Sequence, residues 1–218
     1  MKNKVGIIVV SIAVVAALVV SGIVFTPMIV KSSREKAYTE FIEANDYSSA
    51  AAIIEKMLLK DDTKENKERL AKAYFILDQY EKAAPLYKEL LELDTQNVEY
   101  MSDYSKVLVE TKNYAEAIAI YESLKKATAD SETYAMLSYL YEETGDPANA
   151  LLNIEYMLEK EPNDALLNFK AGLLNKELAN MDSALLHLEK ATMFDLQNEE
   201  YAIVYASSLH DEGQKQTA

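Results

Sequence analysis

The stretch DQYEKAAPLYKELLELD, residues Asp78–Asp94, returns later in a related form as KNYAEAIAIYESLKKA, residues Lys112–Ala127. In both stretches an alanine follows three positions after a tyrosine. That alanine recurs along the chain at steps of 33 or 34 residues, and its five positions are Ala50, Ala83, Ala117, Ala150 and Ala184. A fixed period of this length indicates an array of structural repeats.

The apolar residues of each repeat follow the 3.6-residue rhythm of an α-helix and not the alternation of a β-strand. In the second repeat they fall into two groups, Leu70, Ala71 and Tyr74 in the first, and Ala83, Leu86, Tyr87 and Leu90 in the second. Each repeat therefore predicts two helices joined by a turn. The small alanine allows the two antiparallel helices to approach closely.

Residues that can cap a helix N-terminus stand between the two predicted helices of four repeats, at Asp46, Asn113, Asp146 and Asn180. Their side-chain oxygens can accept hydrogen bonds from the open backbone amides. The remaining repeat has the weaker capping residue Gln79, and Gly145 suits a helix C-terminus. Pro85 removes one backbone hydrogen bond from its helix and predicts either a kink or a late helix start.

Residues Val5–Val30 form an uncharged and almost wholly aliphatic segment. Its 26 residues would make a helix about 39 Å long, and about 20 such residues cross the apolar core of a bilayer. The segment predicts an uncleaved transmembrane anchor. The alternative is a cleaved signal peptide, with a cleavage site at Gly22, but signal peptides have apolar cores of about 7–15 residues.

The rest of the chain is strongly acidic. Lys2 and Lys4 are the only charged residues before Lys31, so residues 31–218 hold 20 of the 22 Lys and Arg and all 36 Asp and Glu, a net charge of −16. Such a surface repels phosphate backbones and anionic lipids. The charge argues against nucleic acid as a partner and favours neutral or basic proteins. The alternative is that the charge only keeps the protein soluble.

The orientation in the membrane is weakly determined because basic residues flank the apolar segment on both sides. A very short basic N-terminus usually stays in the cytoplasm. This places the large acidic part outside the cytoplasm, with the opposite orientation left open.

The sequence shows no pattern typical of an enzyme. It has no cysteine, which excludes disulfides, thiolate nucleophiles and Cys-type zinc sites. Its two histidines, His187 and His210, fall in different repeats without metal-ligand spacing, and its five glycines form no phosphate-binding loop. We therefore predict no catalytic residue, metal or cofactor.

The period and the residues of the fourth repeat resemble the tetratricopeptide repeat family, whose units are 34-residue helix–turn–helix elements. The matching residues are Tyr134, Leu137, Tyr141, Gly145, Ala150 and Pro162. The resemblance covers residues 31–218. It implies an all-α fold, a solenoid of antiparallel helix pairs with about five repeats and one terminal helix. The transmembrane helix predicted in residues 1–30 from its apolar length precedes this solenoid.

The chain departs from the family at the bulky position of the first helix, which holds no tryptophan but Lys67, Met101, Tyr134 and Asn168. The terminal helix is predicted over Glu199–Glu212, and Gly213 predicts a turn after it. Either this helix caps the array, or the chain is a fragment of a longer one.

In the family, the first helices line a concave groove that binds peptides. Carried over by position, the resemblance implies a groove formed by Lys72, Phe75, Lys106, Val109, Tyr139, Glu142, Phe169, Leu173 and Lys176. The Lys/Asn/Arg set with which some members hold chaperone C-termini is absent. A groove of apolar residues rimmed by acids suits an apolar segment with basic flanks.

The expected function is a membrane-anchored scaffold that binds a partner protein or peptide, as in envelope assembly, secretion or translocation complexes of the family. The alternative is a homo-oligomerising spacer subunit of a larger membrane complex.

Overall fold

The computed structural model of the protein describes residues 30–216, with side chains from 30 to 213. These residues form eleven α-helices and no β-strand, which confirms the predicted all-α class for this part of the chain. The helices are α1 (30–43), α2 (Tyr47–Leu58), α3 (Lys64–Ile76), α4 (Tyr80–Leu93), α5 (Val98–Glu110), α6 (Tyr114–Thr128), α7 (Ser131–Glu143), α8 (Pro147–Lys160), α9 (Ala165–Glu177), α10 (Met181–Phe194) and α11 (Glu199–Gln216).

The predicted membrane anchor, residues 5–30, lies outside the described residues except for Val30 in α1. Among the helices of residues 30–216, none combines the length and the apolar character needed to cross a membrane. The anchor over residues 1–30 therefore stays a prediction.

The chain divides within α4 into two compact units, Met1–Leu90 and Leu91–Ala218. In unit 1, α2 packs against α3. In unit 2, each helix from α5 to α11 packs against the next helix along the chain. A single solenoid over residues 31–218 is a prediction that these contacts leave open.

The recurring alanine is the most deeply buried position of the repeat. The side chains of all five alanines, Ala50, Ala83, Ala117, Ala150 and Ala184, have 0% exposure. Each alanine lies in the first turn of the second helix of its pair. A small side chain at such a buried position allows two helices to pack closely.

The same backbone turn joins the two helices of every pair. The N–H of the residue before the second helix donates over 2.8 Å to a carbonyl five residues earlier, from Asp46 to Phe41, Gln79 to Tyr74, Asn113 to Leu108, Asp146 to Tyr141 and Asn180 to Asn175. The residue before each donor has a left-handed φ between 55° and 76°, at Asn45, Asp78, Lys112, Gly145 and Ala179. This is the Schellman turn, which satisfies carbonyls at a helix C-terminus.

The predicted caps are confirmed in part. Asp46 Oδ1 accepts from the Ser49 N–H at 3.0 Å, and Asp146 Oδ1 accepts from the Asn149 N–H at 3.1 Å. Asn113 and Asn180 occupy the capping position, but their side chains accept no capping hydrogen bond.

The helix boundaries contradict two local predictions. The late start considered for α4 is wrong, because the helix begins at Tyr80 and contains Pro85. The turn predicted at Gly213 is also wrong, because α11 continues through it to Gln216.

Several tyrosines bury the ring and direct the hydroxyl to a carboxylate on a neighbouring helix. The Tyr104 hydroxyl donates to Glu116 at 2.8 Å, and the Tyr141 hydroxyl donates to Glu122 at 3.2 Å. Burial, followed by the charge of Glu122, raises the pKa of Tyr141 to about 12. These tyrosines are therefore packing residues whose polar end lies at the rim.

A small residue also recurs in the first helix, twelve positions before the alanine. Ala71, Ser105 and Ser138 have exposures of 0%, 0% and 1%. Gly172 is the fourth member, and a Cβ built on it would lie 2.7 Å from Leu188 Cγ. The helices α9 and α10 therefore approach too closely for a larger residue at Gly172.

We expect Ala179→Gly to stabilise the protein and Gly145→Ala to destabilise it. A left-handed backbone costs an L-residue about 1–2 kcal/mol, and nothing lies within 4 Å of a Cβ at Gly145. Each substitution should shift the free energy of unfolding by about 1 kcal/mol, in opposite directions. Urea unfolding followed by circular dichroism measures both, and shifts of the same sign would contradict the backbone argument.

We expect Gly172→Ala to lower the free energy of unfolding by about 1–3 kcal/mol, because overpacking forces neighbouring groups to move. The backbone nitrogen of Leu188 would lie only 3.2 Å from the new Cβ, so a side-chain shift alone does not relieve the contact. Gly213→Ala is the control, since nothing lies within 4 Å of its Cβ and alanine favours a helix by about 1 kcal/mol. Equal stabilities for the two variants in thermal unfolding would refute the close approach.

Candidate functional site

The nine predicted binding residues all lie on the first helices of their pairs, α3, α5, α7 and α9. Eight of them form pairs three positions apart, which share one helix face. The pairs are Lys72 with Phe75, Lys106 with Val109, Tyr139 with Glu142, and Leu173 with Lys176. The first pair belongs to unit 1 and the other three to unit 2.

These eight residues reach the surface to different degrees. Lys72, Lys106, Tyr139, Glu142 and Leu173 are exposed, and Phe75, Val109 and Lys176 are half-buried. In unit 1, the Phe75 ring packs edge-on against Tyr80, with 5.8 Å between the ring centroids.

The structure differs from the prediction at Phe169, which is only 7% exposed. Its ring stacks on Tyr201 of α11 with 4.4 Å between the centroids, and both rings join Leu188 and Ala191 in a hydrophobic cluster. Phe169 is therefore part of the core between α9, α10 and α11. Helical spacing alone places it on the same face as Leu173, but does not show that α11 covers it.

Polar contacts link the first helices of unit 2 side by side. Lys106 of α5 lies 3.7 Å from Glu132 of α7, and Lys170 of α9 lies 3.8 Å from Glu142 of α7. Lys176 of α9 donates to Ser208 of α11 at 3.2 Å. We call the six predicted residues of unit 2 the first-helix face: Lys106, Val109, Tyr139, Glu142, Leu173 and Lys176.

Apolar side chains lie exposed on this face. Tyr139 is 39% exposed and Leu173 is 40% exposed, and both stand eleven positions before the alanine of their repeat. On α11, Ile203 is 65% exposed. The Tyr139 ring packs edge-on against Tyr114, with 6.5 Å between centroids. A hydrogen bond with Tyr114, followed by partial burial, raises the pKa of Tyr139, so its hydroxyl stays neutral at physiological pH.

Acidic residues accompany these apolar residues. Glu110, Glu143 and Glu177 are the last residues of α5, α7 and α9, and all three are exposed. Carboxylates at a helix C-terminus interact unfavourably with the helix dipole, so helix stability does not account for them. These glutamates are not among the predicted groove residues, although their shared position, seven residues before the alanine, is visible in the sequence.

The first-helix face therefore combines apolar side chains with charged groups of both signs on regularly spaced helices. Such a surface can hold an extended or helical segment of a protein. Among the described residues, no three His, Cys, Asp or Glu side chains are grouped to hold a metal ion. Of the histidines, His187 is half-buried, with its Nδ1 3.0 Å from Asn168 Oδ1.

Comparisons with known proteins agree with the repeat geometry. The tetratricopeptide repeat family profile matches residues 74–138. This match supports the resemblance over one complete helix pair, α5 with α6, and over parts of the pairs on either side. No curated protein sequence matches the chain.

Solved structures share the fold. MamA of AMB-1 superposes with a TM-score of 0.63 at 20% identity, covering 78% of this chain and 94% of that one. YrrB, described as a TPR protein with an unusual peptide-binding site, gives a TM-score of 0.62 at 18% identity, covering 77% and 87%. MamA from Desulfovibrio magneticus RS-1 gives 0.58 at 16% identity, covering 76% and 94%. At these identities the likeness shows a tetratricopeptide-like helical solenoid fold and nothing finer.

Proposed function

We propose that the protein is a membrane-anchored scaffold that binds a partner protein or peptide on the first-helix face. The observation that carries the proposal is the exposure of Tyr139 and Leu173 at the same repeat position of α7 and α9. Large apolar side chains exposed in register on neighbouring helices are typical of surfaces that another protein covers. The peptide-binding site ascribed to YrrB supports a binding role for this fold.

The partner is a neutral or basic segment with apolar anchor residues. The net charge of −16 over residues 31–218 and the row of Glu110, Glu143 and Glu177 attract basic flanking residues. The exposed Tyr139 ring and Leu173 side chain of the first-helix face receive the apolar anchors.

Residues 5–30 supply the anchor because their apolar length matches a bilayer. Anchoring raises the effective concentration of the scaffold for a partner in the same membrane. Assembly, secretion and translocation complexes of the envelope are settings in which such a scaffold acts. The short basic N-terminus favours an extracytoplasmic position for residues 31–218.

We expect the double variant Tyr139→Ala with Leu173→Ala to lose the partner while keeping its fold, because the two residues are 39% and 40% exposed and neither belongs to the buried core. The matched control is Leu152→Ala with Leu186→Ala, since these leucines are 62% and 51% exposed on α8 and α10 of the same unit. Affinity capture with the full chain from detergent-solubilised membranes of the producing cells measures the difference. The partner should drop at least tenfold with the first variant and not with the control.

Equal capture by all three proteins would remove the first-helix face from the proposal. If the retained protein is a second copy of this chain, the homo-oligomeric spacer is the correct function and the scaffold for a different partner is not. Sedimentation of the purified full chain at several concentrations identifies that case independently.

We expect the full chain to stay in the membrane pellet after alkaline carbonate extraction, and protease added to sealed right-side-out vesicles to digest residues 31–218. An apolar helix of 26 residues resists extraction because its removal exposes it to water. Vesicles opened with detergent are the control for protease access. Release by carbonate contradicts the anchor, and protection in sealed vesicles contradicts the orientation.

A further inference from the structure

Lys67 stands at a repeat position that other pairs fill with a packed side chain. Sixteen residues before the alanine, Met101 and Asn168 are only 4% and 1% exposed. Tyr134, at the same position, stacks on Tyr156 with 3.8 Å between the ring centroids. In these pairs the side chain occupies space between the helices.

The Lys67 side chain instead forms two ion pairs. Its Nζ lies 2.7 Å from Glu89 Oε2 on α4 and 3.1 Å from Asp62 Oδ1 in the loop before α3. The hydrogen bonds with Glu89 and Asp62 raise the pKa of Lys67, so the ammonium stays charged. Only 16% of the Lys67 side chain is exposed, so its alkyl stem packs at this position while the ammonium is held by the two carboxylates.

A surface cavity of about 580 Å³, largely open to solvent, lies beside Lys67 in unit 1. We call it the Lys67 cavity, and its apolar walls are Leu58 of α2, Leu70 of α3 and Leu86 of α4. Leu59, which is 87% exposed, lies at the edge of the cavity. Its volume falls in the range of about 300–1,000 Å³ typical of ligand pockets.

The charged lining of the cavity is acidic. The lining residues include three carboxylates, Glu55, Asp62 and Glu89, and one cation, Lys67. Their formal charges add up to −2. Glu55 also accepts a hydrogen bond from the Tyr74 hydroxyl, which fixes its carboxylate at the wall. An apolar interior with an acidic edge is complementary to an apolar side chain that has a basic neighbour.

We propose that the Lys67 cavity is a second docking site, which takes one aromatic side chain of a partner protein flanked by arginine or lysine. The aromatic ring replaces the side chain that Met101, Tyr134 and Asn168 supply in their own pairs. The flanking cation pairs with the excess carboxylates, and arginine does so with two parallel hydrogen bonds. None of the predicted groove residues lines this cavity, so it is separate from the first-helix face.

The absence of tryptophan from the chain provides a direct assay. The probe is the blocked peptide Gly-Arg-Trp-Arg-Gly, whose indole fluorescence shifts to shorter wavelength on burial, with no tryptophan signal from the protein. The full chain, kept in solution with a non-ionic detergent, should shift the emission saturably. The blocked peptide Gly-Glu-Trp-Glu-Gly should bind at least tenfold more weakly because its charge matches that of the cavity edge.

Lys67→Tyr introduces the residue type that stands at this position in the fourth repeat. It should weaken binding of the Arg-Trp-Arg peptide at least tenfold, with an unchanged or higher melting temperature. Asp62→Asn with Glu89→Gln removes the charge excess by changing exposed carboxylates that leave the core intact. It should weaken binding of the same peptide at least fivefold without affecting a neutral Gly-Ser-Trp-Ser-Gly peptide.

Leu186→Glu is the matched control, because Leu186 is 51% exposed on α10 and belongs to neither docking surface, so peptide binding should be unaltered. Leu173→Glu changes the first-helix face of unit 2 and tests whether the peptide binds there instead. No saturable shift with the full chain, equal binding of the acidic and basic peptides, or full binding by Lys67→Tyr would each overturn the second docking site. Loss of binding in the Leu173→Glu variant would also overturn it and assign the peptide to the first-helix face.

Discussion

The close approach of two antiparallel helices at a fully buried alanine is the contact on which each helix pair depends. A methyl group is small enough to let the backbones come together, and the surrounding leucines, tyrosines and isoleucines then lose their contact with water. In unit 2, Ala150 lies in a cluster with Leu151, Ile154 and Leu174 from α8 and α9. The cluster joins consecutive pairs, so a pair that is too small to fold by itself is stabilised by its neighbours.

The turn within each pair fixes where that contact forms. A left-handed residue reverses the chain, and the hydrogen bond that closes the turn has the same length, 2.8 Å, in all five pairs. The alanine follows this turn at a constant distance. The geometry of the turn therefore persists even where the residue in the left-handed position is Asp78 or Lys112 and not glycine.

Because these internal positions are constrained, the differences between repeats are concentrated at positions that face outward or between pairs. Tyr139 and Leu173 give the first-helix face its apolar character, and Glu143 and Glu177 give it negative charge. In unit 1, Lys67 forms ion pairs at the position where Met101 and Tyr134 pack in their own repeats, and the Lys67 cavity lies beside it. The two proposed docking surfaces thus arise from substitutions that the helix-pair architecture tolerates, since neither disturbs the buried alanine.

The sequence by itself determined the all-α class, the five helix pairs and the buried alanines, because these follow from local spacing along one chain. The nine residues predicted to line a concave groove stay a prediction as a binding site, although eight of them do reach the surface. Only the tertiary structure decided that Tyr201 covers Phe169, that Asn113 and Asn180 do not cap with their side chains, and that Lys67 joins Asp62 and Glu89. Each of these outcomes depends on which groups from other elements come within a few ångströms, and the helical period of a single segment holds no information about its neighbours.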